Sequence, residues 1–398
     1  MTRRPIYLDH HATTPVDPRV VDAMAPYWSD EFGNASSATH LYGWRAEAAV
    51  EQAREELAAA IGAADPREIV FTSGTTEANN LAIAGVARAQ RGRRDHLVTC
   101  AIEHPAVLDT ARALAEHEGA TVSELPVGAG GLVDPEAVRA ALGPRTALVS
   151  IAAANSEIGV LQPIAEIAAV CRDAGVPFHS DAAQAIGKVP LDVRRDGIDL
   201  LSFCAHKLYG PKGIGALYVR RGGRPPLALA PLLHGGGHER GLRSGTTPVP
   251  LVVGFARAVS LCLADREAEA ERLRALRDRL LDGLGRALPG QVECNGDPVR
   301  RLPANLNVSF AGVHSDALLS ALHDVALSSG SACASARGEP SHVLRALGLA
   351  PERIRGALRF GLGRGTTEAE IDIVIARVAE EVQKARGAAG GPIRVRST

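Results

Sequence analysis

The sequence predicts an α/β protein with a mostly parallel central sheet covered by helices and a smaller α+β domain after it. Three observations predict this. Between about residue 50 and residue 220, strand-length apolar runs alternate with helical patterns of about 10–15 residues, as βαβ units require. Residues 249–286 then read as one long, charged amphipathic helix, beyond which the alternation changes character. The chain has 398 residues, 46% of them hydrophobic, which suffices for a large core and about two domains.

The elements follow in order. Glu68-Ile-Val-Phe-Thr72 reads as a strand and 77–89 as its helix. His96-Leu-Val-Thr-Cys100 precedes a helix from about Ala106, and Thr146-Ala-Leu-Val-Ser-Ile151 precedes a helix over 164–174. Val176-Pro-Phe-His-Ser180 and Ile198-Asp-Leu-Leu-Ser-Phe203 are two further buried strands, and Ala216-Leu-Tyr-Val219 is a third. Past the long helix come strands over 306–310, 325–328 and 357–360, with helices from Ser315, near 341–347 and over 367–385. The glycine-rich tail, 387–398, is expected to be disordered. In a parallel sheet, ligands bind outside the carboxyl ends of the strands.

Composition excludes several classes. A formal net charge of −1 provides no polybasic field for nucleic acid or membrane. The apolar runs are too short and interrupted to span a bilayer, and the basic N-terminus has no apolar stretch of a secretory signal. Six cysteines (100, 171, 204, 262, 294 and 333) are scattered without a C-x-x-C pair. That spacing predicts a reducing, cytoplasmic compartment rather than a zinc or disulfide framework.

Lysine is rare: of 44 basic residues only Lys188, Lys207, Lys212 and Lys384 are lysines. Lys207 follows one buried strand and Asp181 ends another, a pairing that suits pyridoxal phosphate, with the amine holding the aldehyde and the carboxylate the pyridinium nitrogen. A surface lysine near a strand-end acid is the plainer reading of that pair alone. Thr72-Ser-Gly-Thr-Thr-Glu77 joins a strand to a helix, where exposed N–H groups make a phosphate seat or an ordinary N-cap turn. Gly210-Pro-Lys-Gly-Ile-Gly215 leads into a strand and is not a dinucleotide loop. His104 follows a strand, fit either to stack on a cofactor and move protons or to serve structurally. Asn155 fits a donor to substrate or an Asx turn.

Ser328-Ser-Gly-Ser-Ala-Cys-Ala-Ser-Ala-Arg-Gly-Glu-Pro340 is a loop of small residues with Cys333 at its middle. With no large apolar neighbours to bury it, that thiol reads as exposed and reactive. Arg359 in a strand asks for a carboxylate, whether a substrate's or an internal one. Two histidines around three glycines, His234 and His238, hold nothing rigidly and read as a loop.

Together these segments resemble the cysteine desulfurases of the NifS/IscS type, in the class V aminotransferase group of fold-type I pyridoxal-phosphate enzymes. The likeness runs from Tyr7 to about Arg377. It rests on Ala12-Thr-Thr-Pro, Phe71-Thr-Ser-Gly-Thr-Thr-Glu, Asn155-Ser-Glu-Ile-Gly-Val, His206-Lys-Leu-Tyr-Gly-Pro-Lys-Gly-Ile-Gly, the run from Gly235 to Thr246, and Ser328-Ser-Gly-Ser-Ala-Cys. It implies a large cofactor-binding domain over 15–260. The small domain, over 1–14 and 261–386, would carry the loop at about 328–340.

The resemblance also implies roles. Lys207 would hold pyridoxal 5'-phosphate and take the Cα proton. Asp181 would pair with the ring nitrogen, Gln184 with the ring hydroxyl, and Asn155 with ring oxygen or substrate. His104 would stack on the ring and shuttle a proton. Thr75, Thr76 and His206 would bind phosphate, with Thr246 reaching in from the second subunit of a homodimer. Asn34, Asn155 and Arg359 would grip the carboxylate of L-cysteine. Cys333 would attack the substrate sulfur, leaving a persulfide for an acceptor protein of iron–sulfur assembly or thiolation, and L-alanine would leave. Cys204 stands where many relatives place a phosphate-binding serine, and Ala35 replaces the usual proline. Selenocysteine lyase, or another C–S lyase using the same cofactor, is the alternative within this fold.

Overall fold

A computed structural model describes residues 4–223, 227–330 and 340–389. The chain divides into two compact units, Thr13–Ser156 with Val160–Arg266, and a smaller one of the first twelve residues, Glu157–Gly159 and the chain from Glu267. A short strand β1 (Ile6–Tyr7) belongs to the smaller unit.

The larger unit is built on seven strands: β2 (Ile69–Thr72), β3 (His96–Cys100), β4 (Thr121–Leu125), β5 (Thr146–Ser150), β6 (Phe178–Asp181), β7 (Leu200–Cys204) and β8 (Gly215–Val219). Their order across the sheet is β2-β8-β7-β6-β5-β3-β4. Every neighbouring pair is parallel except the two that β8 makes, with β2 and β7. The expected mostly parallel α/β sheet is therefore present. Strands β2, β5, β6, β7 and β8 are buried at every residue, which is why most of them read as short apolar runs. Edge strand β4 is half-exposed along Thr-Val-Ser-Glu-Leu and left no such run, so sequence reasoning missed it. The helix Leu41–Ala60 was missed as well.

Helix Thr75–Ala89 covers the sheet with Ala78, Leu81, Ala82, Ile83 and Val86, the alanines letting its backbone come close. A polar rung crosses the middle strands. His179 is fully buried, its Nδ1 2.8 Å from Ser150 Oγ and its Nε2 2.9 Å from Ser202 Oγ. Burial pushes its imidazole down to about 3, so it is neutral and ties β5, β6 and β7 together two residues before Asp181.

The smaller unit has an antiparallel sheet β12-β10-β9, made of β9 (Val292–Cys294), β10 (Asn305–Phe310) and β12 (Ala357–Gly361). Its β11 (Val325–Ala326) pairs in parallel with β1. Leu273, Leu276, Leu280 and Leu284 line one face of the helix Val249–Ala287 and bury with Leu306, Val308, Phe310, Leu358 and Phe360. Each such leucine contributes ~1.5–3 kcal/mol of burial. The closing helix runs Glu368–Ala389, three residues into the segment expected to be disordered, and 390–398 lie outside the described residues.

Candidate functional site

Asp181 ends β6 and is buried. Its Oδ2 accepts from Asn79 Nδ2 at 2.7 Å and its Oδ1 from the Ala183 N–H at 2.9 Å. Two donors fix the carboxylate in place. Strand β7 runs alongside with Asp181 paired to Ser202, and it leads directly into the 3-10 turn Ala205–Lys207.

That turn is clamped. The Thr14 N–H and hydroxyl both donate to His206 O, at 3.0 and 2.9 Å, and the Tyr209 N–H donates to Thr14 Oγ1 at 2.8 Å. Tyr209 sits in the left-handed region at φ 61° and reverses the chain after Lys207. His206 Nδ1 lies 3.2 Å from Thr13 Oγ1. Burial, then the charges of Lys207, Lys212 and Lys188, pushes the His206 imidazole down to about 4. The region is thus strongly positive, fit for an anion.

The helix Thr75–Ala89 opens with Gly74 as its N-cap, and no side chain caps it. A β-carbon at Gly74 would meet nothing within 4 Å, so space lies in front of the first-turn N–H groups. Thr75 Oγ1 is buried without a hydrogen-bond partner, next to the Cys204 thiol. Burial raises that thiol's pKa, and the groups acting on it include Thr75, Lys207 and Asp181, so these four side chains meet in one place. An unsatisfied hydroxyl, a bare helix start and a positive field fit a phosphate. An aspartate held by two donors at the neighbouring strand end fits a pyridinium nitrogen. The residues present therefore suit pyridoxal phosphate.

His104 caps the helix Pro105–Glu118, its Nδ1 accepting the Ala106 N–H at 3.0 Å. The neutral ring consequently carries its proton on Nε2. Beside it, Glu103 is buried, its Oε1 accepting from the Cys100 thiol at 3.1 Å and the Ala152 N–H at 2.8 Å. Burial pushes Glu103 up to about 8. Asn155 is buried and donates from Nδ2 to Ile102 O at 2.8 Å. Gln184 Oε1 accepts from Lys188 Nζ at 3.0 Å. Asn34 forms an Asx turn with the Ser36 N–H at 2.9 Å and is exposed, as are Thr76 and Thr246.

In the smaller unit, Arg359 is 2% exposed on β12 and its Nη2 donates to Asp9 Oδ1 at 2.7 Å. The carboxylate it meets here is thus an internal one. Cys333 lies outside the described residues. Among the described residues, no group of three or more His, Cys, Asp or Glu side chains could hold a metal ion. Sequence reasoning missed Asn79, Glu103, Thr13 and Thr14. The one available signal for Asn79 was an amide on an otherwise apolar helix face.

Residues 6–374 match the family described as Aminotransferase class-V. The chain is 54% identical over 382 residues to a protein named cysteine desulfurase IscS from Anaeromyxobacter dehalogenans (strain 2CP-C), covering 96% of this chain and 93% of that one. Among solved structures, a NifS-like protein superposes with a TM-score of 0.88 at 35% identity, covering 96% of this chain and all of the other. SspA in complex with cysteine superposes at 0.79 and 40% identity, covering 90% of this chain and 98% of its own.

Proposed function

This chain belongs to the aminotransferase class-V family, and within it we propose a cysteine desulfurase that moves sulfur from L-cysteine onto Cys333 as a persulfide and releases L-alanine. The observation that carries this reading is the meeting of Lys207, Asp181, Thr75 and Cys204 at the carboxyl ends of β6 and β7. The likeness to a structure solved with cysteine supports the substrate.

Pyridoxal phosphate bound there supplies an electron sink for the negative charge left when the Cα proton departs. Lys207 would hold its aldehyde carbon and take that proton. Asp181, held by Asn79 and the Ala183 N–H, would pair with the ring nitrogen. The first-turn N–H groups from Thr75, with Thr75 Oγ1 and Thr76, bind the phosphate, alongside His206. His104, whose neutral ring carries its proton on Nε2, would move a proton to or from the bound substrate at that nitrogen. The Cys333 thiolate attacks the substrate sulfur: an S–S bond forms, the C–S bond breaks, and its electron pair stays with the carbon that becomes the alanine methyl. The net change is thiol plus cysteine to persulfide plus alanine.

A homodimer with Thr246 serving the neighbouring site is part of this proposal. The exposed Trp28, Phe32, Leu41, Tyr42 and Trp44 support it, since a patch of that kind ordinarily covers a partner. The acceptor is taken as a protein of iron–sulfur assembly or thiolation. A reducing cytoplasm suits the five free cysteines among the described residues.

The test is Cys333→Ser in the purified holoenzyme. Sulfide release from L-cysteine under a reducing thiol should vanish while the cofactor's visible band persists, and Lys207→Ala should bleach that band. Turnover that survives Cys333→Ser would point instead to a lyase that needs no persulfide.

A further inference from the structure

The turns that carry His104 and Asn155 leave the sheet from neighbouring strands, β3 and β5. Their ladder ends at the pair Thr99 and Ser150, so the backbone no longer ties the two chains beyond that point. Side chains take over. Glu103 Oε1 accepts the Ala152 N–H at 2.8 Å, and Asn155 Nδ2 donates to Ile102 O at 2.8 Å. Each turn thus reaches into the backbone of the other. The same Glu103 oxygen accepts from the thiol of Cys100, the last residue of β3, at 3.1 Å. The Glu103 N–H bonds to Cys100 O at 3.2 Å, which folds the residue back against its own strand. One residue beyond Ala152, the Ala153 N–H donates to Asp181 O at 2.9 Å and carries the connection on to the end of β6.

Burying a carboxyl is unfavourable unless its oxygens are used. Glu103 is 1% exposed, and burial pushes it up to about 8, so near neutral pH it is an uncharged acid whose Oε1 serves as an acceptor. A glutamine offers an equivalent oxygen at the same reach. An aspartate is one methylene too short, and an alanine offers nothing. His104 follows immediately, at the N-cap of the helix Pro105–Glu118 with φ −63° and ψ 145°, its Nδ1 accepting the Ala106 N–H at 3.0 Å. The direction of its Nε2 therefore depends on where this turn is held. A displacement of about 1 Å at such a group is enough to slow a reaction severely.

We propose that Glu103 is a positioning residue for His104 and Asn155, its Oε1 locking the turn after β3 to the turn after β5 so that imidazole and amide keep their relative places. The carboxyl acts as an oxygen at the right distance, and its proton takes no part in the reaction. The inference rests on the reading of His104 and Asn155 as groups that meet cofactor and substrate.

The experiment compares Glu103→Gln, Glu103→Asp and Glu103→Ala with wild type. Sulfide release from L-cysteine is expressed per bound cofactor, so that poor folding or poor loading does not enter the rate. Gln should keep kcat within about threefold of wild type, while Asp and Ala should lose about 10–100-fold. Asp carries the test if the Ala variant does not fold. Amide exchange in the apoprotein, resolved by residue, follows the lock without any chemistry. The Ala152 and Ala106 N–H groups should both exchange about tenfold faster in Asp and Ala, the effect of one lost hydrogen bond, and neither should change in Gln. A Gln variant as slow as Ala would overturn the proposal, because the proton and not the oxygen would then matter. Faster exchange at Ala152 with Ala106 unchanged would overturn it too, since His104 would be indifferent to the lock. If wild type releases no sulfide from L-cysteine, the cysteine reading fails, while the exchange pattern still decides whether Glu103 holds the two turns.

Discussion

Asn79 Nδ2 donates to Asp181 Oδ2 at 2.7 Å, a bond between the first turns of the helix Thr75–Ala89 and the carboxyl end of β6. Asn79 is fully buried and its Oδ1 has no partner among the described residues, a cost that the bond to Asp181 must offset. The same helix thus carries both the bare N-terminus and the donor that fixes the aspartate carboxylate. Asn79→Ala should weaken cofactor binding about 10–100-fold, the worth of one hydrogen bond to a buried charge. Titrating apoprotein with pyridoxal phosphate reads this out, and an unchanged affinity would show that Ala183 alone suffices.

Glu103 makes stability depend on pH in a stated direction. Its carboxyl is pushed from 4.5 up to about 8 by burial, so between those values the folded state holds a proton that the unfolded state has lost. Its contribution is whole below about pH 4.5 and is lost as pH rises through about 8, at about 1.4 kcal/mol per pH unit within that window. Glu103→Gln cannot ionise and keeps an oxygen for the Cys100 thiol and the Ala152 N–H. Its melting temperature relative to wild type should therefore rise from pH 5 to about pH 8 and level off above that. Parallel curves for the two proteins would refute this.

Glu157 belongs with the smaller unit, as do Ile158 and Gly159, although the chain on either side of these three does not. Its backbone oxygen accepts from Asn305 and Asn307 at 3.2 and 3.3 Å, and Ser341 acts on its buried carboxyl. A β-carbon at Gly330 would stand 3.1 Å from its Oε1. Gly330 and Ser341 lie on either side of the segment with Cys333. Glu157→Ala should slow persulfide formation about tenfold through misplacement of those anchors, with KM for cysteine within about twofold of wild type. Glu157→Gln should recover most of the rate. Equal losses in kcat and in cofactor content would mean a merely structural defect.

Much of this was legible in the chain because burial and chemistry coincide there. Strands β5 to β8 are covered on both faces, so sequence and structure agree on them within about two residues, the usual fraying of boundaries. Asp181 and Lys207 stood out as polar groups at the ends of such runs. What stayed hidden depends on partners far along the chain. Asn79 meets Asp181 102 residues away, and Arg359 meets Asp9 350 residues away. No local pattern encodes pairs of that kind. Arg359 was rightly read as needing a carboxylate, but the nearest one comes from the chain itself, so gripping a substrate there means sharing or displacing Asp9.

Cys204 stands at a position where the family resemblance leads to the expectation of a serine. The thiol is buried beside Thr75 at the start of the helix Thr75–Ala89, and burial keeps it protonated. A neutral thiol is a weak donor, so the phosphate seat rests on Thr75, Thr76 and the first-turn N–H groups. Cys204→Ser would add a strong donor at a site where Thr75 Oγ1 already lacks a partner. The expected outcome is cofactor binding about 3–10-fold tighter, as one neutral hydrogen bond contributes ~1 kcal/mol. Dissociation of pyridoxal phosphate on dilution, followed by loss of the visible band, measures it. Faster dissociation in the serine variant would mean that the thiol is retained for its fit against apolar neighbours, and that the hydroxyl is buried at a net cost.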